Sequence, residues 1–85
     1  MNLNPLIMMR EEVDGTGIVF DPENNRAMSL NRTGVTIWKA LEDGKDTGEI
    51  VSALQSVYNI SDDIARRDVL AFLEVLKAKG MLAKD

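Results

Sequence analysis

The apolar pattern of this chain changes period once, at Leu30-Asn31, and that change fixes the order of its layers. Up to Leu30, apolar and polar residues alternate over short runs; from Asn31 onward, apolar residues recur every three or four positions. A period of two puts alternate side chains on one face of a pleat, and a period near 3.6 makes a stripe along a helix. The chain therefore reads as a run of strands followed by a run of helices, an α+β order.

Within the first part, Met8-Met9-Arg10-Glu11-Glu12-Val13 alternates, and Asp14-Gly15 is a hairpin turn signal. Ile18-Val19-Phe20 is a short β-branched and aromatic run, followed by the turn residues Asp21-Pro22-Glu23-Asn24-Asn25. Arg26-Ala27-Met28-Ser29-Leu30 alternates again, with Arg26, Met28 and Leu30 on one face and Ala27 and Ser29 on the other. The expectation is a meander of three antiparallel strands. In the second part, Asn31 or Thr33 caps a helix whose face is Val35, Ile37, Trp38 and Leu41, and Gly44 ends it. Asp46 or Thr47 caps the next, with Glu49 reaching back and a stripe of Ile50, Val51, Leu54, Val57 and Tyr58. Ser61-Asp62-Asp63 opens a third helix, Gly80 closes it, and Met81-Leu82 is expected to fold back onto the core. No linker or internal repeat divides the sequence, which predicts one domain over residues 1–85.

The third helix carries more apolar surface than so small a fold requires. At about 100° per residue, Ala65, Val69, Phe72, Leu73 and Leu76 fall in one core-facing arc. Ile64, Ala71, Val75 and Ala78 fall in a second arc beside it, with Asp68 and Lys79 between the two. Either both arcs are core, or the second lines a groove for something else. Met8, Met9 and Met28 in the strands carry the same ambiguity, between core filling and an adaptable binding surface.

Composition argues for binding over chemistry. There is no Cys and no His, which removes thiolate nucleophiles, zinc-thiolate sites and the commonest general base. Glu11-Glu12 points to opposite faces of a strand, and Asp62-Asp63 is explained by its place in a first helical turn. Asp14-Gly15-Thr16-Gly17 lacks the lysine and the strand-to-helix context of a phosphate loop. Asp21 to Asn25 lacks calcium-loop spacing. No catalytic residue, cofactor or metal is therefore expected. The net charge of −4 opposes nucleic-acid binding. Lys77, Lys79 and Lys84 read as dipole compensation at a helix end, and Arg66-Arg67 as partners of Asp62, Asp63 and Asp68. No apolar run is long enough to cross a bilayer and the start lacks a secretion signal, which predicts a cytoplasmic protein away from the membrane.

Strands followed by three helices is a winged-helix-like order, and the run from Leu30 to Gly44 adds to it. Leu30-Asn31-Arg32-Thr33-Gly34-Val35-Thr36-Ile37-Trp38-Lys39-Ala40-Leu41-Glu42-Asp43-Gly44 resembles the L-N-x-T-G-x-x-I-W-x-x-L-x-x-G signature of the PqqD family, the leader-binding proteins of pyrroloquinoline quinone biosynthesis and their relatives. The resemblance continues through Thr47-Gly48-Glu49-Ile50-Val51, Tyr58, Asp68 to Leu73, and Gly80-Met81-Leu82. Phe20-Asp21-Pro22-Glu23 is similar to the family's exit from its second strand, so the likeness covers about residues 8 to 83. It implies a recognition element for ribosomally made, later modified peptides: a non-catalytic module presenting a precursor's leader to a radical SAM or other modifying enzyme. In that family the leader adds as a strand beside the third strand, with apolar side chains in the cleft by the third helix. The residues agree with this, since Arg26 to Leu30 has no proline or inward charge to protect it as an edge. The expected peptide site is thus Arg26, Ala27, Met28, Ser29 and Leu30 with Ile64, Arg67, Asp68, Ala71 and Val75. A monomer or weak homodimer is expected. A winged-helix DNA-binding regulator and a small structural dimerisation subunit are the competing readings.

Overall fold

A computed structural model of the chain describes residues 2–83. Its elements run β1 (Met8–Glu11), β2 (Gly17–Asp21), β3 (Arg26–Leu30), α1 (Arg32–Glu42), α2 (Thr47–Val57) and α3 (Asp62–Ala78), the strands-then-helices order read from the sequence. The three strands form one antiparallel sheet in the order β1-β2-β3. β1 stops at Glu11, two residues earlier than the alternation predicts, because Val13 lies in the hairpin loop and is fully exposed.

Hydrogen bonds in that loop set the phase of the whole sheet. Gly15 N donates to Glu12 O (3.1 Å) and Glu12 N donates to Thr16 O (2.7 Å), with Gly15 at φ 88°. This is a three-residue turn closed by a glycine bulge, in place of the tight two-residue turn that Asp-Gly often makes. Glu12 is therefore a hydrogen-bonded position, and bonded and non-bonded pairs alternate away from it along an antiparallel ladder. Arg10–Ile18 and Met8–Phe20 are the bonded pairs of β1 and β2. Gly17, Val19 and Asp21 then turn their backbone groups to β3, opposite Leu30, Met28 and Arg26.

The sequence caps its helices locally. Asn31 accepts from Gly34 N at 2.8 Å, Asp46 and Glu49 form a reciprocal capping box, and Ser61 accepts from Ile64 N. Of the alternatives left open by the sequence, Asn31 and Asp46 are the caps, and Thr33 donates its hydroxyl proton to Asn31 Oδ1. After α3, Met81 N donates back to Leu76 O, which turns Met81 into the core and lets Leu82 bridge to Leu3.

One cluster of buried side chains joins the layers. It holds Val19 of β2 together with Trp38, Ile37 and Leu41 of α1, Ile50, Val51 and Leu54 of α2, and Ala65, Val69, Leu73 and Leu76 of α3. The Trp38 indole N–H has no acceptor among the described residues, a penalty of about 1–3 kcal/mol that the burial of the ring offsets. Met9 and Met28 pack against this cluster from the inner face of the sheet, whereas Met8 is exposed on the outer face. Val57 is a correction: it is the last residue of α2, at the edge of the stripe, and is 63% exposed, while the C-cap residue Tyr58 leaves the helix in an extended conformation and packs against the core. Phe72 is another, half-buried at the rim of its arc. Among the described residues no helix is long and apolar enough to cross a membrane.

Candidate functional site

β3 is the edge of the sheet on the side away from β1. The ladder phase gives Arg26, Met28 and Leu30 to β2, so the N–H and C=O of Ala27 and Ser29 point outward from the edge. Four adjacent backbone groups are thus open to another strand. The two residues are small and exposed, and they leave the approach clear.

A cleft of about 310 Å³ begins where this strand ends. Asn31, Thr33, Gly34 and Ile37 line it from the start of α1, and Asp68, Ala71, Phe72 and Val75 from α3. Gly34 keeps the two walls close. A methyl group at that position would lie 3.2 Å from Phe72 Cε1, 3.2 Å from Asn31 Oδ1 and 3.4 Å from Leu30 Cβ. The second apolar arc of α3 is therefore not core. Ile64 and Val75 are 41% and 43% exposed, and Ala71 and Ala78 are exposed as well.

The ten residues expected to bind a peptide separate into four groups. Ala27 and Ser29 hold the outward backbone groups, and Asp68, Ala71 and Val75 line the cleft. Ile64 and Arg67 lie on the same exposed face of α3 but outside the cleft lining. Arg26, Met28 and Leu30 spend their backbone groups on β2, and Leu30 is buried, so these three support the edge rather than offer it. The cleft is also lined by Asn31, Thr33, Gly34, Ile37 and Phe72, which the sequence does not single out as part of a site. Gly34 in the first turn of α1 carried no clear signal, since Gly48 stands in the first turn of α2 with no close neighbour beyond its own cap residue.

Charge in the cleft is simple. Asp68 is the one charged residue lining it among the described residues. Arg66 does not neutralise it, being bonded to Asp62 at 2.7 Å; the further pairings of Arg67 with Asp63 or Asp68 do not form. The other ion pairs lie at the opposite edge of the sheet, on β1: Arg10–Glu12 at 3.0 Å, and Lys39–Glu11 between α1 and β1. Lys77 and Lys79 are exposed at the end of α3, and Lys84 lies outside the described residues. Asp21, in the β2–β3 turn, is 2% exposed. Its carboxylate accepts from Asn24 Nδ2 (2.7 Å), Glu23 N (3.1 Å) and Asn24 N (3.4 Å), and the Asn24 side-chain bond above all holds its pKa below the usual value. That is a turn lock, on the opposite end of β3 from the cleft. Among the described residues no group of three or more His, Cys, Asp and Glu could hold a metal ion. The arrangement offers a strand edge and a cleft, with no nucleophile–base pair in either.

The family described as "Coenzyme PQQ synthesis protein D (PqqD)" matches residues 16–82, which includes β2, β3 and all three helices and leaves β1 outside. No curated protein matches the chain. Two solved structures are similar. One, TbiB1 in complex with the TbiA(beta) leader peptide, is 26% identical with a TM-score of 0.87, covering 100% of both chains. The other, lasso peptide synthetase B1 complexed with the leader peptide, is 28% identical with a TM-score of 0.83, covering 98% of this chain and 96% of that one.

Proposed function

This chain belongs to the PqqD family, and from that premise we propose that it is a non-catalytic carrier that binds the leader of a ribosomally made precursor peptide and presents it to a modifying enzyme. The observation that carries the proposal is the juxtaposition of an open strand edge, Ala27 and Ser29, with an uncovered cleft between α1 and α3. A leader segment extends the sheet from β3, its main chain bonding to the four outward groups. Its inward side chains then enter the cleft over Ala71 and Val75. Main-chain pairing gives generic affinity and the cleft gives selection. Both similar structures hold a leader peptide, which supports the same reading here. The peptide belongs either to pyrroloquinoline quinone synthesis or to a related peptide-modification pathway, and the chemistry is done by a radical SAM or other enzyme. We place the carrier in the cytoplasm, beside such partners.

The DNA-binding reading finds no support in α3. Its exposed face carries a single cation, Arg67, among Ile64, Asp68, Ala71 and Val75, where a duplex reader needs a cluster of cationic groups. Selection of binders from a displayed random-peptide library, followed by amide chemical-shift mapping of the best binder, tests the proposal. Binders should shift Ala27, Ser29, Ala71 and Val75 together, and random duplex DNA at low salt should shift nothing. Recovery of no peptide, or mapping to the outer face around Met8 and Phe20, refutes it.

A further inference from the structure

Asp68 is set where a carboxylate is expensive to cover. It shares the cleft with Ala71, Phe72 and Val75, and no cation among the described residues forms an ion pair with it: Arg66 is held by Asp62, and Arg67, beside it on the exposed face, pairs with no carboxylate. A strand seated in the cleft strips water from this carboxylate. An uncompensated charge loses its hydration, whereas a cation opposite it restores a charge-assisted hydrogen bond. The net charge of −4 adds a field of the same sign around the site. We infer that Asp68 is a specificity residue selecting leaders with a lysine or arginine at one fixed place in the added strand. This rests on the reading of the cleft as a leader site, and it names the chemistry of the leader.

Helix and strand geometry fix the place. Asp68 lies about 4.5 Å along the axis from Ala71 and about 10.5 Å from Val75, at about 1.5 Å per residue. Inward side chains of a strand recur about every 6.6 Å. For a strand running alongside α3, the side chain opposite Asp68 is therefore two residues from the apolar one that sits between Ala71 and Val75. The leader pattern is basic-x-apolar, both side chains facing in.

The test is peptide selection from a displayed random library against the full chain in three forms: unaltered, Asp68→Asn and Asp68→Lys. Asp68 is exposed on mid-helix, so folding is retained, and circular dichroism checks it. The unaltered protein should enrich Lys and Arg over Asp and Glu by about fivefold or more at one position, two residues from an apolar one; fivefold corresponds to about 1 kcal/mol. Asp68→Asn should erase that preference and Asp68→Lys should reverse it. An apolar pattern whose charge preference is absent, or is unchanged by Asp68→Lys, overturns the assignment of Asp68 and leaves peptide binding standing. Recovery of no peptide by any form overturns the leader reading itself.

Discussion

Proline at Ala27 separates pairing along β3 from every other way a peptide could bind. The Ala27 N–H points away from β2, so its loss breaks no bond of the sheet, and edge strands accept proline where the N–H faces out. The folded state should lose little, under about 1 kcal/mol from the shift of φ toward −65°. A bound leader loses one of four main-chain bonds and leaves a carbonyl facing the ring, a cost of about 1–3 kcal/mol, or roughly 5- to 150-fold in Kd. Ser29→Pro is equivalent by the same phase of the ladder. Met28→Pro is the control: its N–H bonds to Val19, and removing it leaves a ladder carbonyl unpaired, at a cost of about 1–3 kcal/mol of folding. A chain of this length has about 4–13 kcal/mol in total, so that loss is plainly visible in a melt. The assays are fluorescence anisotropy with a labelled peptide recovered by display, and thermal denaturation followed by circular dichroism. If Ala27→Pro is folded and binds with unaltered affinity, the peptide does not pair with β3. If Ala27→Pro melts as Met28→Pro does, the ladder phase derived from Glu12 and Thr16 is wrong.

Three further outcomes follow from the same geometry. Ala71→Glu should fold normally and bind peptide about 1–3 kcal/mol more weakly, while Val69→Glu, at a fully buried position, should unfold; loss of helical dichroism in Ala71→Glu would make the second arc core after all. The bare β3 edge should pair weakly with a second copy at high concentration, giving a dimer in sedimentation that saturating peptide dissociates; a tight dimer that persists with peptide bound would show that the edge is not the shared site. Asp21, with its pKa held below the 3.8 of an ordinary aspartate, stabilises the fold while ionised, so its contribution is present above about that pH and fades as pH falls through the lower folded value. Asp21→Asn should therefore melt earlier than the unaltered protein at neutral pH, with the gap closing on acidification; a gap independent of pH would rule out the carboxylate's charge as the cause.

The elements were legible in the residues, because each is encoded locally. Alternation and turn residues made the strands, Asn31, Asp46 and Ser61 capped the helices, and Trp38, Leu54 and Val69 sit at positions whose spacing alone marks them as core. The resemblance around Leu30 to Gly44 carried the family. Periodicity could not decide the fate of the second arc of α3, since a helical wheel counts apolar residues without knowing what lies opposite. Only the packing of α3 beside α1, with Gly34 and Phe72 in close approach, left Ala71 and Val75 uncovered beside a cleft. Nor could the sequence tell which residues of Arg26 to Leu30 have free backbone groups. That depends on the phase of the ladder, which the bulge at Gly15 shifts by a single residue from outside the strand. Val57 was misplaced for a related reason: a stripe predicts the centre of a buried face, and only the position of the neighbouring helix decides where its edge meets water.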